Sequence, residues 1–547
     1  MTSNNAKPRL VFLFLVFFIG YSIIVVTLYR IQITHYAFYA DLAEHQYNET
    51  ITQLATRAPI YDRNGVALAL NKDSLSAFIM PKQCGNFETV TTFIAKAFPD
   101  SLQWLLDHKD KNFVFIKRKL TKQEVETIKN SGIEDIHILE EPHRFYPHSS
   151  TATIIGLTDI DNKGVIGIEL LYNKLLSGKP RTYSLKRDAR MGHFYFKKDT
   201  IHKGKEGTAI KLTIDNDLQF LIEEELKETL NKFDAKEGIV IVMDPQSGDI
   251  LSMVSFPHFD PHNTQQLDLE LTKNRACTET YELGSVIKIF AALAALEEGL
   301  VTPDQLIDCK NSRTAFIDGR KVNTVAPHGL ISFKEVLARS NNIGTATVVK
   351  ELGPKLYDHY KRLGFTSKTR INLPGEQVGF VNHPQNWSKQ SIFSLSYGYE
   401  ISINLLQLAQ ALSIIANNGK TVSTQLIKEP IELRNNQQQE QLYSQKSIDA
   451  LKDIMEYTTV SGTGRRAAIK GYRIMSKTGT ANLLENGKYT PNKNIFTCEG
   501  ILEKNNFRRV IVVFVKESSQ KRLFSSIVAA PLFERVAEKV IIHEKII

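Results

Sequence analysis

Glu282-Leu283-Gly284-Ser285-Val286-Ile287-Lys288-Ile289-Phe290 places a serine and a lysine three positions apart at the head of an apolar run that continues to Leu296. Gly299 is a natural stop, so the pattern predicts a helix over Val286–Leu296 with Gly284 and Ser285 at its mouth. Residues three apart share a helix face, which brings the Lys288 amine toward the Ser285 hydroxyl. A serine hydroxyl is barely ionised near neutral pH and needs a neighbour to take its proton, a task a lysine performs only when neutral. Ile287, Ile289 and Phe290 predict a desolvated setting that disfavours the ammonium. Alone, Ser-x-x-Lys has little specificity, and the pattern recurs at Ser518 and Lys521.

Two later stretches add to it in order. Ser340-Asn341-Asn342 supplies a hydroxyl and amides, and Lys477-Thr478-Gly479-Thr480 follows a strand-like run, Tyr472–Ser476. That run predicts Lys477 at a strand end on the rim of a cleft, with Thr478 and Thr480 directing hydroxyls at an anionic ligand and Gly479 letting substrate backbone come close. Ser-x-Asn occurs elsewhere in the chain, but Lys-Thr-Gly occurs once.

A chain of 547 residues has room for two or three domains. With 42% hydrophobic and 23% charged residues it has an ordinary globular composition, and its net charge of +9 is no nucleic-acid signature. No zinc-finger spacing, Walker loop or dense basic-aromatic patch is present, and nucleic acid is not an expected partner. Cys84, Cys277, Cys309 and Cys498 are far apart with no C-x-x-C pair, so neither a metal site nor a disulfide is expected.

Residues 10–28 carry no charge and are long enough to span a bilayer. They exceed a secretory signal core and lack a small-residue cleavage site, which predicts a retained anchor, with Lys7 and Arg9 favouring a cytoplasmic N-terminus. Residues 31–56 read as a polar-faced helix, and Arg57–Ala69 as strand, turn and strand around Asn64-Gly65. Short strands and helices follow to about 205, including helical pieces at Lys122–Asn130 and Gly167–Leu176, and the polar segment Phe196–Gly207 reads as a boundary. Beyond it come strands at Gly238–Met243 and Ile250–Ser255, helices at Phe333–Ala338, Ile343–Leu352 and Leu405–Asn417, and strands at Tyr472–Ser476 and Val510–Val515. Asn435–Gln441 reads as an exposed loop. The expected organisation is a cytoplasmic tail over 1–9, a transmembrane anchor over 10–28, a non-catalytic α+β pedestal over 29–205 and a catalytic domain over 206–547.

The three motifs, in this order, resemble those of serine β-lactamases and penicillin-binding proteins. Arg57-Ala58-Pro59-Ile60-Tyr61-Asp62-Arg63-Asn64-Gly65, Arg144-Phe145-Tyr146-Pro147, Gly164-Val165-Ile166-Gly167-Ile168-Glu169, Asp244-Pro245, Asn274-Arg275-Ala276, Gly462-Thr463-Gly464 and Ala529-Ala530-Pro531 extend the resemblance over nearly the whole chain, to the class B penicillin-binding proteins. Ala58, Leu283, Val286 and Ser476 depart from the family's usual Gly, Pro, Thr and Gly. The resemblance implies an α/β, serine β-lactamase-like transpeptidase domain with a mainly antiparallel sheet and a helical block. It also implies a D-Ala-D-Ala stem peptide as donor, a second stem peptide's amine as acceptor, β-lactams as covalent inhibitors and no cofactor.

In the implied roles, Ser285 is the nucleophile and Lys288 its base. Ser340 and Lys477 pass a proton to the leaving amine, Asn342 holds the substrate amide, Thr478 and Thr480 hold the carboxylate, and the Ser285 and Thr480 N–H groups form an oxyanion hole. The same resemblance implies an inner-membrane protein with its bulk in the periplasm. Ser340-Asn341-Asn342 and the stretch from Leu373 to Tyr399 match division-type members, whose partners are a polytopic glycan polymerase and other division proteins. The rivals are an elongation-type transpeptidase, a β-lactamase, and a membrane-anchored β-lactam sensor or scaffold without turnover.

Overall fold

The computed structural model describes residues 6–53, 55–187, 194–264, 267–434, 438–485 and 488–546. The chain divides into two compact units, Met1–Arg57 with Ser177–Gly207, and Ala58–Leu176 with Thr208–Ile547.

In the first unit, an apolar helix over Ala6–Tyr29 runs into a π-helical turn at Arg30–Thr34. Among the described residues this is one segment long and apolar enough to cross a membrane. A second helix, Tyr36–Tyr47, is shorter than the one expected over 31–56, because Asn48–Gln53 pairs antiparallel with Arg181–Arg187. Alternating Thr and Ile in that stretch favour the pleated strand. Phe194–His202 adds the third strand of this sheet, so the segment read as a boundary is extended backbone through His202.

The second unit holds two larger sheets. In the first, Ile427–Glu429, Ile210–Leu212, Ile60–Tyr61, Ala67–Ile79 and Val114–Lys117 lie side by side, and His137–Phe145 also pairs with Ala67–Ile79. Ile60–Tyr61 runs parallel to Ile210–Lys211, joining an amino-terminal strand to chain some 150 residues later. Asp62 locks this seam. Its carboxylate accepts the backbone N–H groups of Asn64 (2.8 Å), Val66 (2.7 Å) and Asn216 (3.1 Å). Gly65 at φ +93° closes the turn.

Asp215 caps helix α1 (Asn216–Phe233), accepting from Leu218 N–H, and also takes a hydrogen bond from the Asn64 side chain. Ala235–Met243 (β1) and Ile250–Phe256 (β2) form the next hairpin, its turn held by Asp244 accepting from Gln246 N–H at 2.8 Å. The helical block contains α2 (Lys288–Glu297), α3 (Phe333–Ala338), α4 (Asn342–Val349), α5 (Leu405–Ala416) and α6 (Gln445–Ser461). Strands β3 (Arg473–Glu485), β4 (Lys488–Lys504) and β5 (Phe507–Ser518) and helix α7 (Ser525–His543) complete the unit.

The second large sheet has the order β2-β1-β5-β4-β3 and is antiparallel throughout, so β3 is an edge strand. Both faces are buried, and alternate residues divide between them. Ile239, Ile241, Val510, Val512 and Phe514 pack toward the helical block, while Val240, Val242, Ile511, Val513 and Val515 pack against α1 and α7. The mainly antiparallel sheet with a helical block is thus observed. Residues 435–437 of the loop expected at Asn435–Gln441 lie outside the described residues.

Candidate active site

Gly284–Ile287 is a 3₁₀ turn, and the α-helix begins at Lys288 rather than Val286. At three residues per turn, positions i and i+3 eclipse, so Ser285 and Lys288 stand one above the other. Leu283, Val286 and Ile287 are fully buried and pin the turn, and Ser285 remains half-buried. The two residues that depart from the family pattern here, Leu283 and Val286, are therefore core residues.

Ser340 links α3 to α4. Its φ of +53° is left-handed, and Ser340 N–H and Asn341 N–H return to the carbonyls of Leu337 and Val336, a helix-terminating arrangement. Asn341, fully buried, then caps α4 by accepting from Gly344 N–H at 2.9 Å. These bonds hold Ser340 away from ordinary backbone geometry, a strain that persists only where surroundings enforce it. Asn342 lies beside the site, its amide donating to the Asn323 carbonyl (2.8 Å) and its N–H to Thr324 Oγ1.

Lys288 Nζ donates to the Ser340 carbonyl (2.7 Å) and to Ser340 Oγ (3.1 Å). Lys477 Nζ reaches the same Ser340 Oγ at 3.1 Å and donates to the Thr478 carbonyl at 2.8 Å. One hydroxyl thus bridges two lysines, both 0% exposed. Among the described residues, Ser285 Oγ has no hydrogen bond to Lys288, whose donors are directed at Ser340. Burial, with the neighbouring Lys477 charge second, pushes the Lys288 amine well below its usual value. Burial lowers Lys477 to about 8, opposed by Glu499 and Cys498. Both shifts favour the neutral amine, and the Lys477 charge adds to the push on Lys288. A neutral amine that spends both N–H bonds on Ser340 keeps its lone pair free to accept a proton.

Two expectations change here. Lys477 is mid-strand and sealed, not at a rim, because β3 runs on from Arg473 to Glu485 and pairs with β4 throughout this region. Gly479 makes room for the serine turn itself: a Cβ there would stand 2.7 Å from the Leu283 carbonyl oxygen and 2.8 Å from Val286 N. Thr478 Oγ1 donates to Thr463 Oγ1 at 2.8 Å, which brings the Gly462-Thr463-Gly464 loop to the site. Thr480 Oγ1 accepts from Ser525 N–H at 3.0 Å and lies 2.8 Å from Ser525 Oγ, whose own proton goes to the Gly479 carbonyl. The Thr480 hydroxyl is therefore committed to the start of α7.

Thr463, Ser525 and Glu499 were not given site roles from the sequence, and Asn341 was read only as part of its motif; of the other three, only Thr463 carried a sequence signal, through its glycine-flanked motif. The second Ser-x-x-Lys is structural. Ser518 ends β5 and hydrogen-bonds the Phe233 carbonyl, and Lys521 lies exposed in the following turn.

Residues 238–538 match the family described as the penicillin binding protein transpeptidase domain, and residues 52–212 the penicillin-binding protein dimerisation domain. The chain is 30% identical over 546 residues to the probable peptidoglycan D,D-transpeptidase PenA of Neisseria meningitidis, covering 98% of this chain and 92% of that one. It is 28% identical over 501 residues to the peptidoglycan D,D-transpeptidase FtsI of Escherichia coli, covering 88% and 83%. A crystal structure of penicillin binding protein 3 from Mycobacterium tuberculosis shares the fold, with a TM-score of 0.70 at 24% identity over 91% of this chain and 97% of that one.

Proposed function

Since the chain belongs to the penicillin-binding protein family, as a class B peptidoglycan D,D-transpeptidase, we propose how its residues divide the reaction and where in the cell the reaction is used. The observation that carries the assignment is the Lys288–Ser340–Lys477 bridge beneath Ser285.

Ser285 Oγ attacks the carbonyl carbon of the penultimate D-alanine as its proton passes to the neutral Lys288 amine. The oxyanion that forms takes the Ser285 and Thr480 N–H groups, donors of a kind worth about 3 to 4 kcal/mol each. Lys477, sealed behind Ser340, keeps positive charge beside the proton path, the Thr478 hydroxyl turns from Thr463 to take the terminal carboxylate, and Asn342 holds the substrate amide. The C–N bond breaks as the leaving amine takes a proton through Ser340, and D-alanine departs. A second stem peptide's amine then attacks the ester, its surplus proton passes through the Lys288–Ser340 pair to Ser285 Oγ as the C–O bond breaks, and the cross-link forms with the Ser285 hydroxyl and the Lys288 amine restored.

The apolar helix supports a membrane anchor, and the basic residues Lys7 and Arg9 before it support a cytoplasmic N-terminus with the catalytic unit in the periplasm. Ser340-Asn341-Asn342 supports the septal reaction, with the amino-terminal segments engaging a polytopic glycan polymerase and other division proteins. β-Lactams enter as substrate mimics and stay as esters on Ser285. Depletion of the protein is expected to yield filaments, or arrested division in a coccoid cell. Rounded cells that go on dividing would reassign it to elongation. The absence of a Ser285 adduct after incubation with labelled penicillin would remove the catalytic assignment itself.

A further inference from the structure

Strand parity places one more ionisable group on the catalytic face. On β4, Ile495 and Ile501 face the helical block, and Phe496, Cys498 and Leu502 face α1 and α7. Glu499 therefore points toward the block. It stands directly opposite Lys477 on β3 and Val512 on β5, and the row continues through Ile241 and Met253. Glu499 is 0% exposed, and neither carboxyl oxygen has a hydrogen-bond partner among the described residues. A carboxyl set between a lysine and an apolar row, with no hydrogen bond of its own, is costly to bury, and a folded protein retains it against that cost. Its cross-strand neighbour Lys477 turns its nitrogen away to Ser340 and the Thr478 carbonyl, so the two interact through space and not by contact.

We propose that Glu499 is a positioning residue of the transpeptidase site, a buried carboxyl that holds Lys477 as the cation of the lysine pair. The inference rests on the reading of Lys477 given above. Two buried lysines share one hydroxyl, and the reaction needs one charged and the other neutral. Nothing in the Ser340 bridge itself decides which, since both approach Ser340 Oγ at 3.1 Å. Glu499 breaks the symmetry. Its field acts on Lys477, whereas Lys288 feels burial and the repulsion of Lys477.

The ionisable group facing the pair is Lys288 at the start of α2, and Cys498 acts on Lys477 from the other face of β4. The α3–α4 link presents Ser340, α6 presents Thr459 to Ser476, and β5 presents Val512. Burial raises the Glu499 carboxyl well above the usual range, and Lys477 opposes this. The Lys477 charge favours the ionised carboxyl, and the carboxylate in turn favours the charged lysine.

The test is the rate of Ser285 acylation by a fluorescent penicillin, measured on the full chain in detergent from about pH 6 to about pH 10 for wild type, Glu499→Gln and Glu499→Asp. Without the carboxylate, Lys477 loses its proton earlier, so the alkaline fall in rate for Glu499→Gln begins about one pH unit lower. The ratio of variant to wild-type rate drops about tenfold between the neutral and alkaline ends. Glu499→Asp restores most of the shift. Parallel profiles, whether equal or uniformly slower, would reduce Glu499 to a structural residue and overturn the proposal. If Glu499→Gln fails to fold, Glu499→Met, which removes the charge without burying a second polar group, must lower the alkaline midpoint, and an unmoved midpoint overturns the proposal equally. A wild-type chain without a Ser285 adduct is a different result, which refutes the catalytic assignment.

Discussion

At the scale of single residues, the site works by giving two chemically identical side chains different charges. Lys288 and Lys477 are both sealed from water and both donate to Ser340 Oγ, yet burial and the Lys477 charge push Lys288 well below its usual value, while burial, opposed by Glu499, lowers Lys477 to about 8. Acylation is therefore expected to be bell-shaped in pH. It falls on the acid side as the Lys288 amine is protonated, and on the alkaline side as Lys477 loses its proton above about 8, measured as the rate of penicillin adduct formation. Ser285→Ala should leave a folded chain with no adduct by intact-protein mass spectrometry. Lys288→Arg keeps a cation but supplies no base near neutral pH, and should lose nearly all acylation. A rate close to wild type for that variant would end the base assignment. Lys477→Arg, at a position that needs charge and not basicity, should lose less.

At the scale of elements, the decisive contact is between the 3₁₀ turn and the edge strand β3. Gly479 touches the turn so closely that a Cβ would lie 2.7 to 2.9 Å from Leu283 and Val286. Gly479→Ala is thus expected to push the turn off β3, lowering acylation at least about tenfold and stability by about 1 to 3 kcal/mol. Acylation equal to wild type would show that the turn can give way. Most elements were legible from pattern alone, among them α3, α5 and the β1–β2 hairpin, where apolar periodicity and turn residues agree. The serine turn was not, because the apolar run through Phe290 suits 3₁₀ and α geometry alike. The length of β3 was also hidden, since Lys477, Thr478 and Gly479 read as strand-ending residues until β4 is seen to pair with each of them.

At the scale of the molecule, the seam around Asp62 joins amino-terminal strands to the catalytic sheet's surroundings through three backbone N–H groups accepted by one buried carboxylate. Asp62→Ala should cost about 2 to 4 kcal/mol, read as a lowered melting temperature. Unchanged melting would show that the seam does not depend on this carboxylate. The proposed topology is checked by protease added to intact spheroplasts, which should digest the large domain; protection until lysis would reverse the orientation. The sequence by itself determined the charge-free length of the amino-terminal helix and the order and spacing of the three motifs, because these are local properties. Tertiary structure alone decided that both lysines are sealed from water, that the Thr480 hydroxyl belongs to α7, and that Glu499 lies opposite Lys477. Those outcomes depend on burial and strand register, which arise only when residues far apart in the chain are brought onto one face.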